Sequence, residues 1–296
     1  MDYKFKGVCP VMNLPFRADG SIDHEDMAKE AEMLISAGCE SICLFAFNSE
    51  PHKLSFDEKL DTIGRFLGII GGRVQTLIGI VENSISGAKL LAQAAEKGGA
   101  DGIILYPPSL STPSGDALLD YFKQIAGSVS IDVMIQDNPR STGVSMTMEF
   151  LLKAFREIDN FNYLKVECPI PVRKLRRICE LTEGKLKCYS GNGGIFAVNA
   201  FLNGAWGIMP GAVTAPEFIK LHGLIESGKT DEARALFEKL LPLVWFEDQS
   251  LEFYVACEKE LLRHMGVFKT SVCRDPGETL CEADLNELYA LYGRVK

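Results

Sequence analysis

Gly98-Gly99-Ala100-Asp101-Gly102-Ile103 sets the reading of the whole chain. A helical pattern precedes it and a short apolar run follows. The same outline, small-Gly-x-x-small-Ile, returns at Ala37-Gly38-Cys39-Glu40-Ser41-Ile42 and at Asn203-Gly204-Ala205-Trp206-Gly207-Ile208. In each copy the glycine (Gly38, Gly99, Gly204) closes a helix in a left-handed conformation, and the apolar run opens a strand. One αβ joint is therefore used three times, the mark of a repetitive architecture.

Working outward, short apolar runs that suit strands buried on both faces lie at Val8–Met12, Ser41–Phe45, Val74–Ile80, Gly102–Leu105, Val133–Gln136, Tyr163–Val166, Lys187–Ser190 and Gly207–Met209. Successive starts fall about 20–35 residues apart, the length of a βα unit. Helical patterns fill the gaps. One carries Met27, Ala31, Met33 and Leu34 on a single side, and another opens with the capping box Ser55-Phe56-Asp57-Glu58. Eight βα units with right-handed crossovers predict a (β/α)8 TIM barrel over residues 1–228. A doubly wound sheet is the alternative, but neither GxGxxG nor GxxxxGK[ST] occurs. Beyond about residue 229 the strand signal ends. Asp231–Leu241, Ser250–Met265 and Ala283–Tyr292 read as helices, the first stopping ahead of Pro242. Residues 229–296 are thus expected to form a C-terminal helical extension.

Composition narrows the function. The 296 residues are 47% hydrophobic and 24% charged, with a net charge of −9 and no basic block. That is the composition of a globular protein, and it argues against a nucleic-acid partner. No apolar run is long enough to span a membrane, and Met1–Lys6 lacks the apolar core of a signal peptide. The nine cysteines are scattered, with no CxxC pair, and suit reduced thiols in the cytoplasm. The four histidines show no HExxH or HxxxH spacing, so no metal site is expected.

Barrels of this class carry their chemistry at the C-terminal ends of the strands. Lys165 lies within the sixth strand, where loss of hydration favours the neutral amine, a nucleophile toward carbonyls. Glu167 is two residues on and shares its face. A buried Lys–Glu pair, or a strand end where the lysine reaches solvent, is the other reading. Ala46-Phe47-Asn48-Ser49-Glu50 follows strand two and offers small polar groups for a carboxylate, though βα loops are routinely polar. Gln136-Asp137-Asn138 ends strand five and suits substrate hydroxyls, or simply the turn before Pro139. Ser190-Gly191 permits close backbone approach or a tight turn. Met209 ends strand eight as an apolar wall. Cys168 reads as a packed thiol.

These residues, in this order, resemble the dihydrodipicolinate synthase / N-acetylneuraminate lyase family. The likeness starts at Pro10 and Phe16-Arg17-Ala18-Asp19-Gly20-Ser21-Ile22-Asp23. It runs through Ser49-Glu50, Leu54-Ser55, Pro139, Thr142-Gly143, Lys165 and Ser190-Gly191 to the helical tail. It implies a TIM barrel whose strand-six lysine, here Lys165, forms a Schiff base with a 2-oxo acid, and an assembly as a tetramer or dimer. The family's G-T-T-G-E loop reads Ala46–Glu50 here. Its strand-five tyrosine is Gln136, its nearby arginine aligns with Ser141, and its aromatics after strand four align with Ser109 and Leu110. Asn48-Ser49-Glu50, Gln136-Asp137-x-Pro139 and Lys165-Val166-Glu167-x-Pro169 are similar instead to the branch containing L-2-keto-3-deoxyarabonate dehydratase.

The resemblance implies dehydration or retro-aldol cleavage of a 2-keto-3-deoxy sugar acid, with no cofactor. Lys165 forms the imine, and Glu167 serves as acid/base in place of the missing tyrosine. Asn48 and Ser49 hold the carboxylate, Phe47 lines the substrate site beside them, and Gln136 and Asp137 face the hydroxyls or water. Ser190, Gly191 and Met209 complete the pocket. The alternatives are a pyruvate-dependent aldolase or synthase, a deaminase or decarboxylating lyase, and a non-catalytic 2-oxo-acid binding protein.

Overall fold

The computed structural model describes residues 3–296. Eight strands pair in parallel: β1 (Gly7–Val8), β2 (Ser41–Leu44), β3 (Gln75–Ile80), β4 (Gly102–Leu105), β5 (Asp132–Asp137), β6 (Phe161–Val166), β7 (Lys187–Ser190) and β8 (Gly207–Ile208). Helices follow them in turn: α1 (His24–Ser36), α2 (Phe56–Ile70), α3 (Ile85–Lys97), α4 (Gly115–Ala126), the short α5 (Pro139–Thr142), α6 (Met148–Glu157), α7 (Pro171–Leu181), α8 (Ala197–Leu202) and α9 (Ala215–Glu226). Then come α10 (Thr230–Glu247), α11 (Leu251–His264) and α12 (Glu282–Val295).

The repeated joint behaves as its spacing requires. Gly38, Gly99 and Gly204 have φ of 90°, 92° and 92°. The amide after each reaches back to the last helical turn: Cys39 to Leu34 O at 3.1 Å, Ala100 to Ala95 O at 3.0 Å and Ala205 to Ala200 O at 3.0 Å. These bonds satisfy the orphan carbonyls and aim the chain into the next strand.

The ring closes between β1 and β2 without a regular ladder. The first strand is shorter than Val8–Met12 because Pro10 has no amide hydrogen to donate. Closure instead uses Cys43 N–H to Pro10 O and Met12 N–H to Cys43 O, both 2.9 Å. Inside the ring, Leu77, Ile104, Met134, Tyr163 and Tyr189 form a packed core. Phe5 plugs its lower end with its ring centroid 5.3 Å from that of Tyr163. Outward-facing strand residues pack against the helices in a second, larger core. The barrel is therefore solid below and can hold a cavity only at its upper rim.

Helix α10 does not stop at Pro242 but runs through it to Glu247. Proline removes one backbone bond, but Leu240, Leu243 and Val244 are buried on either side. Their packing outweighs the local penalty. The tail is tied to the barrel by charge. Lys269 Nζ lies 3.0 Å from Asp23, Arg274 Nη2 lies 2.5 Å from Glu58, and buried Lys259 pairs with buried Glu50. Among the described residues no helix is long and apolar enough to cross a membrane.

Candidate active site

Strand alternation decides which rim residues face inward. Lys165 and Gln136 are register partners on β6 and β5, and both point into the barrel. Glu167 is two residues past Lys165, so it returns to the same face. Lys165 is 4% exposed, and its Nζ lies 3.3 Å from Glu167 Oε1. Beneath it lie Cys9 and Cys43, whose thiols are pushed up by burial, that of Cys9 to about 11. Both stay neutral at pH 7, so the floor under the amine is uncharged.

Glu167 is held by three hydrogen-bond donors. Oε2 accepts from Gln136 Nε2 at 2.5 Å and Asn138 Nδ2 at 2.7 Å. Oε1 accepts the Asn192 amide at 2.9 Å and faces Lys165. The carboxylate fits because residue 191 is glycine: a Cβ there would lie 1.9 Å from Oε1. The side-chain carbonyl of Gln136 is buried and has no hydrogen-bond partner. An unpaired buried acceptor is costly and stands ready for a donor on a bound molecule.

The loop after β2 is rigid. Phe45 and Glu50 adopt φ of 65° and 54°, a left-handed conformation rare for such side chains. Ser49 bridges the turn, accepting from Phe45 N–H at 3.0 Å and donating to Met12 O at 2.5 Å. Glu50 binds Lys53 at 3.0 Å, the Arg274 amide at 3.1 Å, and Lys259. Between these anchors Asn48 turns to the cavity, its Nδ2 3.4 Å from Val11 O. Phe47 lines the cavity beside it and packs on Tyr106 with centroids 4.7 Å apart.

The structure therefore gathers Lys165, Glu167, Gln136, Asn48, Phe47 and Met209 around one cavity of about 380 Å³. Gly191 lies directly behind Glu167. Three of the expected ligands are placed elsewhere. The Ser49 hydroxyl is occupied by backbone. Asp137 is out of phase with Gln136, points away from the barrel interior and pairs with Lys174 Nζ at 2.6 Å. Ser190 is 1% exposed, and its side chain does not line the cavity.

Other cavity residues escape the rim rule. Asn138 and Asn192 sit on turns, where their residue type is unremarkable. Asp248, Gln249, Ser250, Leu251 and Tyr254 come from the tail and close the outer wall. Arg140 fastens that wall, with Nη1 3.2 Å from both Asp248 carboxylate oxygens and Nη2 2.8 Å from Gln249 O. Burial raises the Asp248 carboxyl against the pull of Arg140. Among the described residues no group of three or more His, Cys, Asp or Glu is placed to hold a metal ion.

The dihydrodipicolinate synthetase family matches residues 4–293. The L-2-keto-3-deoxyarabonate dehydratase of Azospirillum brasilense is 25% identical over 297 residues, covering 99% of this chain and 95% of that protein. A 4-hydroxy-tetrahydrodipicolinate synthase of Methanococcus maripaludis strain C6 is 27% identical over 241 residues, covering 81% and 82%. Among solved structures, the 4-hydroxy-tetrahydrodipicolinate synthase of Methylacidiphilum fumariolicum SolV superposes with a TM-score of 0.92 at 25% identity, covering 99% and 96%.

Proposed function

The chain belongs to the dihydrodipicolinate synthetase family, whose members are lyases, and on that premise we propose that it forms an imine between Lys165 and a 2-oxo acid. The observation that carries this reading is a buried amine at the open end of a closed barrel, 3.3 Å from a carboxylate that three hydrogen-bond donors hold in place.

The amine attacks the 2-oxo carbon, and loss of water gives a protonated imine. This electron sink acidifies C3, whose proton passes to Glu167. The bonds from Gln136, Asn138 and Asn192 fix where that carboxylate waits, so no reorganisation is needed at the moment of transfer. The free carbonyl of Gln136 accepts from a hydroxyl or from the imine N–H. Asn48 binds the substrate carboxylate, with Phe47 and Met209 as apolar walls. Ser49, through Phe45 N–H and Met12 O, and Asp137, through Lys174, act behind the pocket as supports.

A 2-keto-3-deoxy sugar acid fits this cavity better than pyruvate alone. Its outer wall is polar, with Arg140, Ser141, Asp248, Gln249 and Ser250 available to a hydroxylated tail. Loss of the C4 hydroxyl from the enamine makes the enzyme a dehydratase; cleavage of C3–C4 makes it an aldolase. The similarity to a 4-hydroxy-tetrahydrodipicolinate synthase supports the second reading, a pyruvate-dependent aldolase or synthase. Against it stands Gln136, which cannot relay protons. Nine free thiols support a cytoplasmic setting, and the family supports a homo-oligomer.

Borohydride reduction in the presence of a panel of 2-oxo acids, followed by peptide mass spectrometry, tests the imine. Mass added at Lys165 is expected. Unmodified Lys165 with every acid ends the proposal. Product analysis then separates the two lyases: a dioxo acid of unchanged carbon count marks dehydration, and free pyruvate marks cleavage.

A further inference from the structure

Tyr254 and Glu258 stand four residues apart on α11, so they share one face of the helix. Tyr254 lines the cavity that holds Lys165 and Glu167. Glu258 lies behind it, fully buried. Two barrel loops make room for the pair. A Cβ on Gly193, after β7, would meet the Tyr254 ring at 3.2 Å. A Cβ on Gly211, after β8, would lie 2.4 Å from both the Tyr254 hydroxyl and Glu258 Oε1. The phenol and the carboxyl therefore converge on one α-carbon.

The carboxyl is only half satisfied. Glu258 Oε2 accepts from Asn13 Nδ2 and from Val213 N–H, both at 3.2 Å, whereas Oε1 has no partner. A buried oxygen left unpaired favours the protonated form of the acid. Burial pushes Glu258 up to about 7 and holds the Tyr254 phenol above its ordinary range. Glu30, bonded to Asn13, and Glu247 are raised by burial too, and Asp248 also faces the phenol.

The elimination proposed above moves two protons, one from C3 and one to the departing oxygen. Glu167 is placed for the first. Gln136 stands where the resemblance implies a tyrosine and has no proton to give. We infer that Tyr254 is the catalytic acid for the departing hydroxyl and that Glu258 resupplies its proton. This inference rests on the imine reading of Lys165.

The electrons balance as follows. The enamine nitrogen lone pair re-forms the C2=N bond, the C2–C3 pair moves to C3–C4, and the C4–O bond breaks with its electrons on oxygen. That oxygen takes the Tyr254 proton and leaves as water. The phenolate takes the Glu258 proton. The unsaturated imine tautomerises as protons leave C5 and its hydroxyl and are gained at C3 and C4, and water releases the dioxo acid from Lys165. Glu167 gives its proton to solvent, and Glu258 regains one from solvent, so no external oxidant or reductant is needed.

The test separates proton loss at C3 from departure of the hydroxyl. Hydrogen–deuterium exchange at C3 of 2-keto-3-deoxyarabonate, followed by NMR in D2O, needs only Lys165 and Glu167. Dioxo-acid formation needs Tyr254 as well. Tyr254→Phe should exchange at the wild-type rate while elimination falls roughly 10²–10⁴-fold, the range for a lost acid. Wild-type turnover should decline as pH rises past about 7, when Glu258 loses its proton, and Glu258→Gln should remove that decline. Elimination at the wild-type rate in Tyr254→Phe overturns the inference. So does an equal loss of exchange and elimination, which marks a positioning role, or an unchanged pH profile in Glu258→Gln. A wild-type protein that traps no imine brings down the parent reading instead, so the two failures are distinguishable.

Discussion

Gly191→Ala is the most direct perturbation of the carboxylate beside Lys165. The added Cβ would sit 1.9 Å from Glu167 Oε1, where ordinary contact begins at 3.4 Å, so the carboxylate must retreat by about 1.5 Å. Retreat stretches the bonds from the Asn192 amide, Gln136 and Asn138 and opens the 3.3 Å gap to Lys165. A misplacement of about 1 Å at a reacting group costs on the order of 10²-fold in rate. Turnover should therefore fall by about that factor or more, while borohydride still traps the imine, since the lysine itself is untouched. Steady-state kcat, trapped adduct and thermal midpoint, measured on the same preparation, check the three parts. Wild-type turnover in a folded Gly191→Ala protein would refute the reasoning, because it would mean that the position of Glu167 does not matter.

Glu167→Gln should still trap the imine but lose roughly 10²–10⁴-fold in turnover, since an amide cannot accept the C3 proton and its NH2 group meets donors where the carboxylate accepted; the ratio of adduct to product reads this directly. Lys174→Met leaves Asp137 buried without its cation, and thermal unfolding should show a loss of roughly 3–5 kcal/mol, the cost of breaking a buried pair. The Arg274 guanidinium holds Glu58 down to about 2. A lowered carboxylate stabilises the fold above its unfolded pKa, so this contribution should fade as pH falls from about 4.5 toward about 2. Glu58→Gln should flatten that part of a stability–pH curve, and an unchanged curve counts against the contact.

The barrel was legible because its physics is local. Strands buried on both faces must be apolar, and the glycine that ends each repeated helix must tolerate positive φ. The inner face of the site followed from the same period of two that places Lys165, Glu167 and Gln136 inward. That rule, applied to the single strand β5, also sends Asp137 outward once Gln136 is fixed inside. Ser49 was less transparent: its residue type suits ligand binding, but its hydroxyl bridges Phe45 and Met12, a contact between distant segments. Pro242 misled for a similar reason, since buried neighbours keep α10 intact across it. The tail residues Asp248–Tyr254 carry no local signal, because only the docking of α10 and α11 brings them over the rim.

The cavity is thus assembled from two sources: a floor that the barrel strands and the loops after β2 and β8 fix, and an outer wall donated by the turn between α10 and α11 and the start of α11. Imine formation and proton removal at C3 belong to the first, and the length and polarity of the accepted tail to the second. Residues 248–251 amount to an exchangeable cassette, and redesign aimed at new sugar acids should graft variants there while leaving the reacting amine alone.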